Sequence, residues 1–167
     1  MRQRLTDKDI EKIKQEIEHR KLVVRKEAIA AVKEAREHGD LSENFEYYAA
    51  KKDKNRNESR IRYLDRMLKT AEVVEDNSSE DEVGLNNIIT VHFEEEDEEE
   101  TFKLVTSIRG NSLKGMISIE SPIGKAVQKR RVGDRVLVQM ERTGGYYIKI
   151  VRIEKTDDEE SDTIRNY

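Results

Sequence analysis

The sequence predicts an α+β protein in two parts: an antiparallel two-helix coiled-coil hairpin, then a small β-sheet domain with one short helix. Two observations predict it. The first 75 residues hold no proline and one glycine, and their apolar residues recur at spacings of three, four and seven. That is the periodicity of a helix with a heptad-like seam. Beyond the polar run Asn77-Ser78-Ser79-Glu80-Asp81-Glu82 the period falls to two, the alternation of strands.

The first helix starts in Leu5-Thr6-Asp7-Lys8-Asp9-Ile10. Thr6 can cap the free amides, Asp9 stands at the capping-box position, and Leu5 can staple onto Ile10. Ile10, Ile13, Ile17, Val24 and Ala31 form one stripe, and the helix is expected to run to Glu37, about 45 Å at 1.5 Å per residue. Gly39 is its natural stop, because glycine accepts the left-handed conformation just past a helix end. The pattern resumes with Ala50, Lys54, Asn57, Ile61, Leu64, Leu68 and Ala71. Two helices joined by a few residues must double back on each other. Ile10, Ile13 and Ile17 then meet Leu64, Leu68 and Ala71 at the base. Nearer the turn Ala31, Ala50, Lys54 and Asn57 are small or polar, so the hairpin is zipped at its base and weakly hydrophobic towards its tip.

Strands are predicted at Ile88–Phe93, Phe102–Val105, Met116–Ile119, Val136–Val138 and Tyr146–Val151, with turns at Gly110, Gly115, Gly133-Asp134 and Gly144-Gly145. The acidic run Glu94–Glu100 falls between the first two strands, where a hairpin tip would sit. Ser121-Pro122-Ile123-Gly124-Lys125-Ala126-Val127 predicts a short helix with Ser121 as its cap and Pro122 at its first position. The expected domains are therefore 1–76 (hairpin with an acidic tip), 77–86 (linker), 87–155 (sheet domain) and 156–167 (acidic tail, disordered).

Composition bounds the function. The chain has 167 residues, 41% of them charged and 5% aromatic, with no cysteine and no tryptophan. A disulfide framework, a thiolate metal site and a cysteine nucleophile are excluded. No apolar run approaches the roughly 20 residues of a membrane span, and the charged beginning carries no signal-peptide pattern, so a soluble, cytoplasmic protein is expected. The net charge of −4 hides an asymmetry: residues 1–75 hold 19 basic and 16 acidic side chains, the remainder 13 and 20. Segregated charge suggests a macromolecular partner with patches of its own, although most charge runs are simply solvated surface.

At the tip, Asp40 and Glu43 admit two readings. Asp40 can cap the second helix, with Glu43 completing a capping box. Alternatively, two carboxylates at the end of a rod can present oxygen ligands to a hard cation such as Mg²⁺, which takes one or two protein carboxylates and fills its other positions with water or phosphate. A partner must then supply the rest of the site.

The run Ala35-Arg36-Glu37-His38-Gly39-Asp40-Leu41-Ser42-Glu43-Asn44-Phe45-Glu46-Tyr47-Tyr48-Ala49-Ala50-Lys51, followed by Arg60-Ile61 and Leu64, resembles the signature of bacterial transcript-cleavage elongation factors, the GreA/GreB family. The stretches Gly115–Val127 and Val132–Val138 extend the resemblance into the second half. It implies an FKBP-like fold for that half, holding the rim of the secondary channel of bacterial RNA polymerase, while the coiled coil enters the channel. It also implies that Asp40 and Glu43 help hold the second Mg²⁺ of the polymerase active site, which activates a water that cleaves backtracked nascent RNA. Such a factor is no enzyme and has no cofactor of its own; it shares Mg²⁺ with its partner, and a monomer is expected.

The same resemblance places Lys52, Arg56 and Arg60 in a basic patch facing the displaced RNA 3′ end, and Ser121 and Pro122 at the rim contact, where a helix cap explains them equally well. Ser42 and Asn44 either bond to substrate or polymerase or brace the turn. Arg36 meets a phosphate or a polymerase carboxylate, or forms an intrahelical ion pair. Phe45 and Tyr47 touch a partner or close the hairpin apex. One stretch departs from the family pattern: Thr106-Ser107-Ile108-Arg109-Gly110-Asn111-Ser112 replaces an acidic segment. That departure keeps open a Gre-like paralogue that occupies the channel and inhibits. The FKBP-like fold raises a prolyl isomerase or chaperone, against which the scarcity of aromatics argues.

Overall fold

The computed structural model describes residues 2–39, 44–157, 159 and 161–165; Asp40, Leu41, Ser42 and Glu43 lie outside the described residues. The chain divides into two compact units. One is built on Ile10–Ala71, the other on Arg4–Asp9 together with the chain from Glu72 onward. Residues 4–9 and 72–76, expected in the hairpin domain, group with the sheet unit, whereas Gln3 groups with the hairpin unit.

In the sheet unit, β1 (Arg4–Leu5) pairs in parallel with β2 (Glu72–Val73). Thr6 and Asp9 then form the expected capping box at the start of α1 (Asp7–His19): the Asp9 amide donates to Thr6 Oγ1 at 3.1 Å, and the Thr6 amide to Asp9 Oδ2 at 3.0 Å. Aspartate does here what glutamate more often does.

The first helix of the hairpin is not one uniform α-helix. Between α1 and α2 (Arg25–Glu37) lies a π-helical turn, Arg20–Val24, which adds one residue to the turn. Its consequence is rotational. Ile13 and Ile17 are buried as the stripe predicts, but beyond the turn Val32 and Ala35 are buried while Ala31 is exposed. The seam has moved by one position, and that widening corrects the seam drawn through Ala31. The second helix, α3 (Phe45–Thr70), buries Asn57, Arg60, Ile61, Leu64 and Met67. Met67 takes the place expected of Leu68, which is half-buried.

Polar rungs cross the middle of the hairpin. Arg25 holds Glu58 through two bonds of 2.7 and 2.9 Å. Arg20 donates to Asn57 Oδ1 at 3.1 Å, and Asn57 Nδ2 returns a bond to the Arg20 carbonyl at 3.2 Å. Glu16 accepts from both Arg60 at 3.0 Å and Arg20 at 3.1 Å. Burial pushes the Glu16 carboxyl up, but the two guanidiniums outweigh it and hold the group below its ordinary value.

Five strands form the main sheet: β3 (Ile88–Phe93), β4 (Glu98–Val105), β5 (Met116–Ser118), β6 (Arg135–Val138) and β7 (Tyr146–Glu154), in the spatial order β5-β4-β3-β7-β6. The β4–β5 pair is parallel and the others antiparallel. Ile89, Val91, Phe102, Leu104, Val136, Val138, Ile148 and Ile150 supply the core, and α4 (Pro122–Val127) covers it with Val127. Gly124 is fixed by close approach, since a Cβ there would lie 2.0 Å from the Ser118 carbonyl oxygen.

Three expectations change in this unit. Residues 77–86 are not wholly linker, because Val83 and Leu85 belong to the core and Asn86 is buried. Nor is the acidic run all turn: Glu98, Glu99 and Glu100 already pair with Phe93, His92 and Val91 across β3–β4. The segment from Thr156, expected to be disordered, places Glu159 and Asp162 among the buried residues. Among the described residues no helix is long and apolar enough to cross a membrane.

Candidate functional site

The end of the hairpin is where sequence places the chemistry, and its two stems are built to hold a short loop. Helix α2 ends at Glu37, the His38 amide donates back to the Ala35 carbonyl at 3.3 Å, and Gly39 follows at φ +140°. That backbone region favours glycine, as the predicted helix stop requires. On the other stem Asn44 is the cap of α3: its Oδ1 accepts from the Tyr47 amide at 3.0 Å. Its Nδ2 reaches across to donate to the Ala35 carbonyl, so one side chain caps one helix and ties it to the other.

Two further contacts cross the tip. His38 Nδ1 lies 2.8 Å from Glu46 Oε2, and the carboxylate holds the imidazole above its ordinary value. The Arg36 guanidinium sits 5.5 Å from the centroid of the Tyr47 ring and holds the phenol below its usual range. Arg36 thus works across the tip, where an intrahelical ion pair was the bland expectation. Tyr47 closes the apex, packed edge-on to Tyr48 with ring centroids 5.5 Å apart. Phe45 does not: it is 85% exposed.

Asp40, Ser42 and Glu43 lie outside the described residues. What the structure does establish is that the capping role considered for Asp40 belongs to Asn44. Among the described residues no three His, Asp or Glu side chains converge on a metal position.

The expected basic patch separates into two groups. Lys52 and Arg56 are exposed and one helical turn apart on α3, hence neighbours on one ridge. Arg60 is 6% exposed and turned into the hairpin seam against Glu16. It belongs to the packing of the rod, because the spacing 52-56-60 drifts around the helix towards the seam.

In the sheet unit Ser121 is the α4 cap: Oγ accepts from the Gly124 amide at 3.0 Å and donates to the Ser118 carbonyl at 2.6 Å. Pro122 follows, exposed, at the first helical position. Arg109, within the stretch that departs from the resemblance, is 1% exposed and paired with carboxylates inside the unit. It does not put a positive charge on the surface.

Comparison with known proteins decides the family. The N-terminal domain of the GreA/GreB transcription elongation factors matches residues 3–73, and the GreA/GreB C-terminal domain matches residues 78–155. The chain belongs to the GreA/GreB family of transcription elongation factors. Transcription elongation factor GreA of Streptococcus pneumoniae (serotype 19F, strain G54) is 38% identical over 153 residues, 91% of this chain and 95% of that protein. GreA of Macrococcus caseolyticus (strain JCSC5402) is 39% identical over 149 residues, 89% and 94%. Among solved structures, GreA factor homolog 1 of Thermus thermophilus is 28% identical and covers 93% of this chain and 100% of that one, with a TM-score of 0.42.

Sequence reasoning missed the cross-tip pair of His38 with Glu46 and the buried pairing of Arg109. The first leaves a weak signal, an imidazole and a carboxylate flanking the loop at 38 and 46. The second leaves almost none, since its partners lie about a hundred residues before it and fifty after it.

Proposed function

We propose that this GreA/GreB-family factor binds bacterial RNA polymerase, inserts its helical hairpin into the secondary channel, and stimulates Mg²⁺-dependent cleavage of backtracked nascent RNA without being an enzyme itself. Asn44 carries this reading. It caps α3 and ties that helix to Ala35, so the cap of that helix is a side chain other than the acidic pair at 40 and 43, which supports reading that pair as meant for a partner. The polymerase's ion, when bound, supplies the activated water and the stabilised leaving oxygen of phosphodiester hydrolysis. This chain's part is positional. Asp40 and Glu43 add oxygen ligands, the contacts of Asn44, Arg36 and His38 hold the stems from which those ligands reach, and the rod sets the reach. Lys52 and Arg56 hold the RNA 3′ end by charge. Pro122 and the face around α4 meet the channel rim.

The test is to add the protein to stalled, backtracked polymerase complexes with Mg²⁺ and measure transcript shortening. Cleavage above the polymerase-alone rate is expected. Asp40→Asn and Glu43→Gln should each abolish that increment while polymerase binding and helix content persist. An unstimulated rate with the unmodified protein overturns the reading.

A further inference from the structure

The sheet unit contains an ionic site that the elongation function leaves unused. Arg109 is enclosed in the 3-10 turn Ser107–Arg109 that follows β4, and three carboxylates face it: Asp9 at 2.7 Å, Asp162 at 2.6 Å and Glu159 at 3.5 Å. Neutral groups complete the shell. Thr106 donates to Asp9 at 2.6 Å, while Thr6 and Asn86 donate to Glu159 at 2.7 and 2.6 Å. Lys103 adds a second cation 3.1 Å from Asp162. A buried guanidinium tolerates such enclosure only when its charge is answered; here Nη2 makes no hydrogen bond among the described residues and meets Glu159 by charge at 3.5 Å.

Two of the three carboxylates come from a segment outside the span that the family match covers, which ends at residue 155. Glu159 and Asp162 anchor that segment to the guanidinium. Beyond this anchor the segment continues onto the surface. The Arg165 amide donates to the Ile108 carbonyl at 2.6 Å, and Thr163, Ile164 and Arg165 wall a cavity of about 630 Å³ whose other side includes Gly110, Ile117 and Ser121.

We propose that Arg109, with Lys103, Thr6 and Asn86, forms a socket for an acidic peptide, and that its occupant is the chain's own Glu159 and Asp162 together with the residues 163–165 that follow them. Thr163, Ile164 and Arg165 form a strap across the groove beside Ser121. Asp9, supplied by the chain's other end, stays in the socket whether or not the strap is bound. The strap can therefore release without leaving the guanidinium wholly unanswered.

The full chain provides the test, and its lack of cysteine makes a single introduced thiol a clean probe. Glu159→Gln with Asp162→Asn removes the two strap carboxylates that face Arg109 and leaves the Arg109–Asp9 pair. In the native chain the Arg165 amide should be protected from hydrogen exchange. In the double variant its exchange should accelerate by about a hundredfold, with protection of the β3 and β7 amides retained. An Ile117→Cys thiol should react with a water-soluble disulfide reagent several times faster in the double variant than in the native background. Equal Arg165 exchange in the two chains, or equal thiol rates, overturns the strap. So does loss of β3 and β7 protection together with that of Arg165, because the segment would then be part of the fold and not a ligand for it. None of these readouts involves polymerase, so they stand apart from the cleavage assay.

Discussion

Two side chains in the hairpin separate folding from chemistry. Asn44 satisfies an orphan amide at the start of α3 and binds the opposite stem. Asn44→Ala should therefore cost the hairpin unit about 1 kcal/mol, read as a lower urea midpoint. Asp40→Asn and Glu43→Gln should leave that midpoint unchanged within about 0.5 kcal/mol. Glu16 carries a pH dependence whose sign follows from its partners. Its folded value lies below the ordinary 4.5 because Arg60 and Arg20 outweigh its burial. Its stabilising contribution is thus complete above 4.5 and is lost as the pH falls through the folded value. Glu16→Gln should be less stable than the native chain at about pH 7, and the gap should narrow on acidification to about pH 3. Urea titrations at several pH values check it, and a constant gap would assign the loss to packing and not to charge.

The π-helical turn at Arg20–Val24 is a one-residue widening whose effect lies downstream, in the rotation that buries Val32 and exposes Ala31. Removing a residue from the turn should let it close to an α-turn without moving either seam. Deletion of Leu22, which is exposed, should keep helix content and change stability by about 1 kcal/mol or less. Deletion of Lys33, also exposed, should cost more, because it rotates Ala35 off the seam by about 100°; circular dichroism and urea unfolding distinguish the two. The contrast also marks what the sequence makes legible. Helices, strands, the Thr6–Asp9 box, the Gly39 stop and the Ser121 cap are written locally, in spacing and in cap residues. A π-turn has no compositional mark, since Leu22-Val23-Val24 satisfies an α-helix equally well. Arg109 draws its partners from positions 9, 159 and 162, a pairing no local period encodes. At the candidate site the acidic pair was legible as a motif, whereas the division of the basic residues was not, because exposure depends on where the displaced seam falls.

Across the whole chain the net charge of −4 is a difference between a basic first part and an acidic second part. The surface that would meet RNA phosphates is smaller than the basic run implies. Of the three positions assigned to the RNA end, Lys52 and Arg56 remain exposed, while Arg60 is committed to Glu16 inside the rod. Phosphate contacts release condensed counterions, and for single strands each contributes about 0.7 to the slope of log affinity against log salt. Lys52→Ala with Arg56→Ala should therefore weaken contact with the RNA 3′ end in backtracked complexes and flatten that slope by about 1.4. Hairpin stability should stay nearly unchanged. Arg60→Ala should do the reverse, leaving the slope intact and lowering the urea midpoint, because it removes one of the two cations that answer a partly buried carboxylate. Crosslinking to the transcript end across a salt series, paired with urea unfolding of the same variants, separates the two roles. A slope that flattens further when Arg60 is also removed would return that residue to the patch.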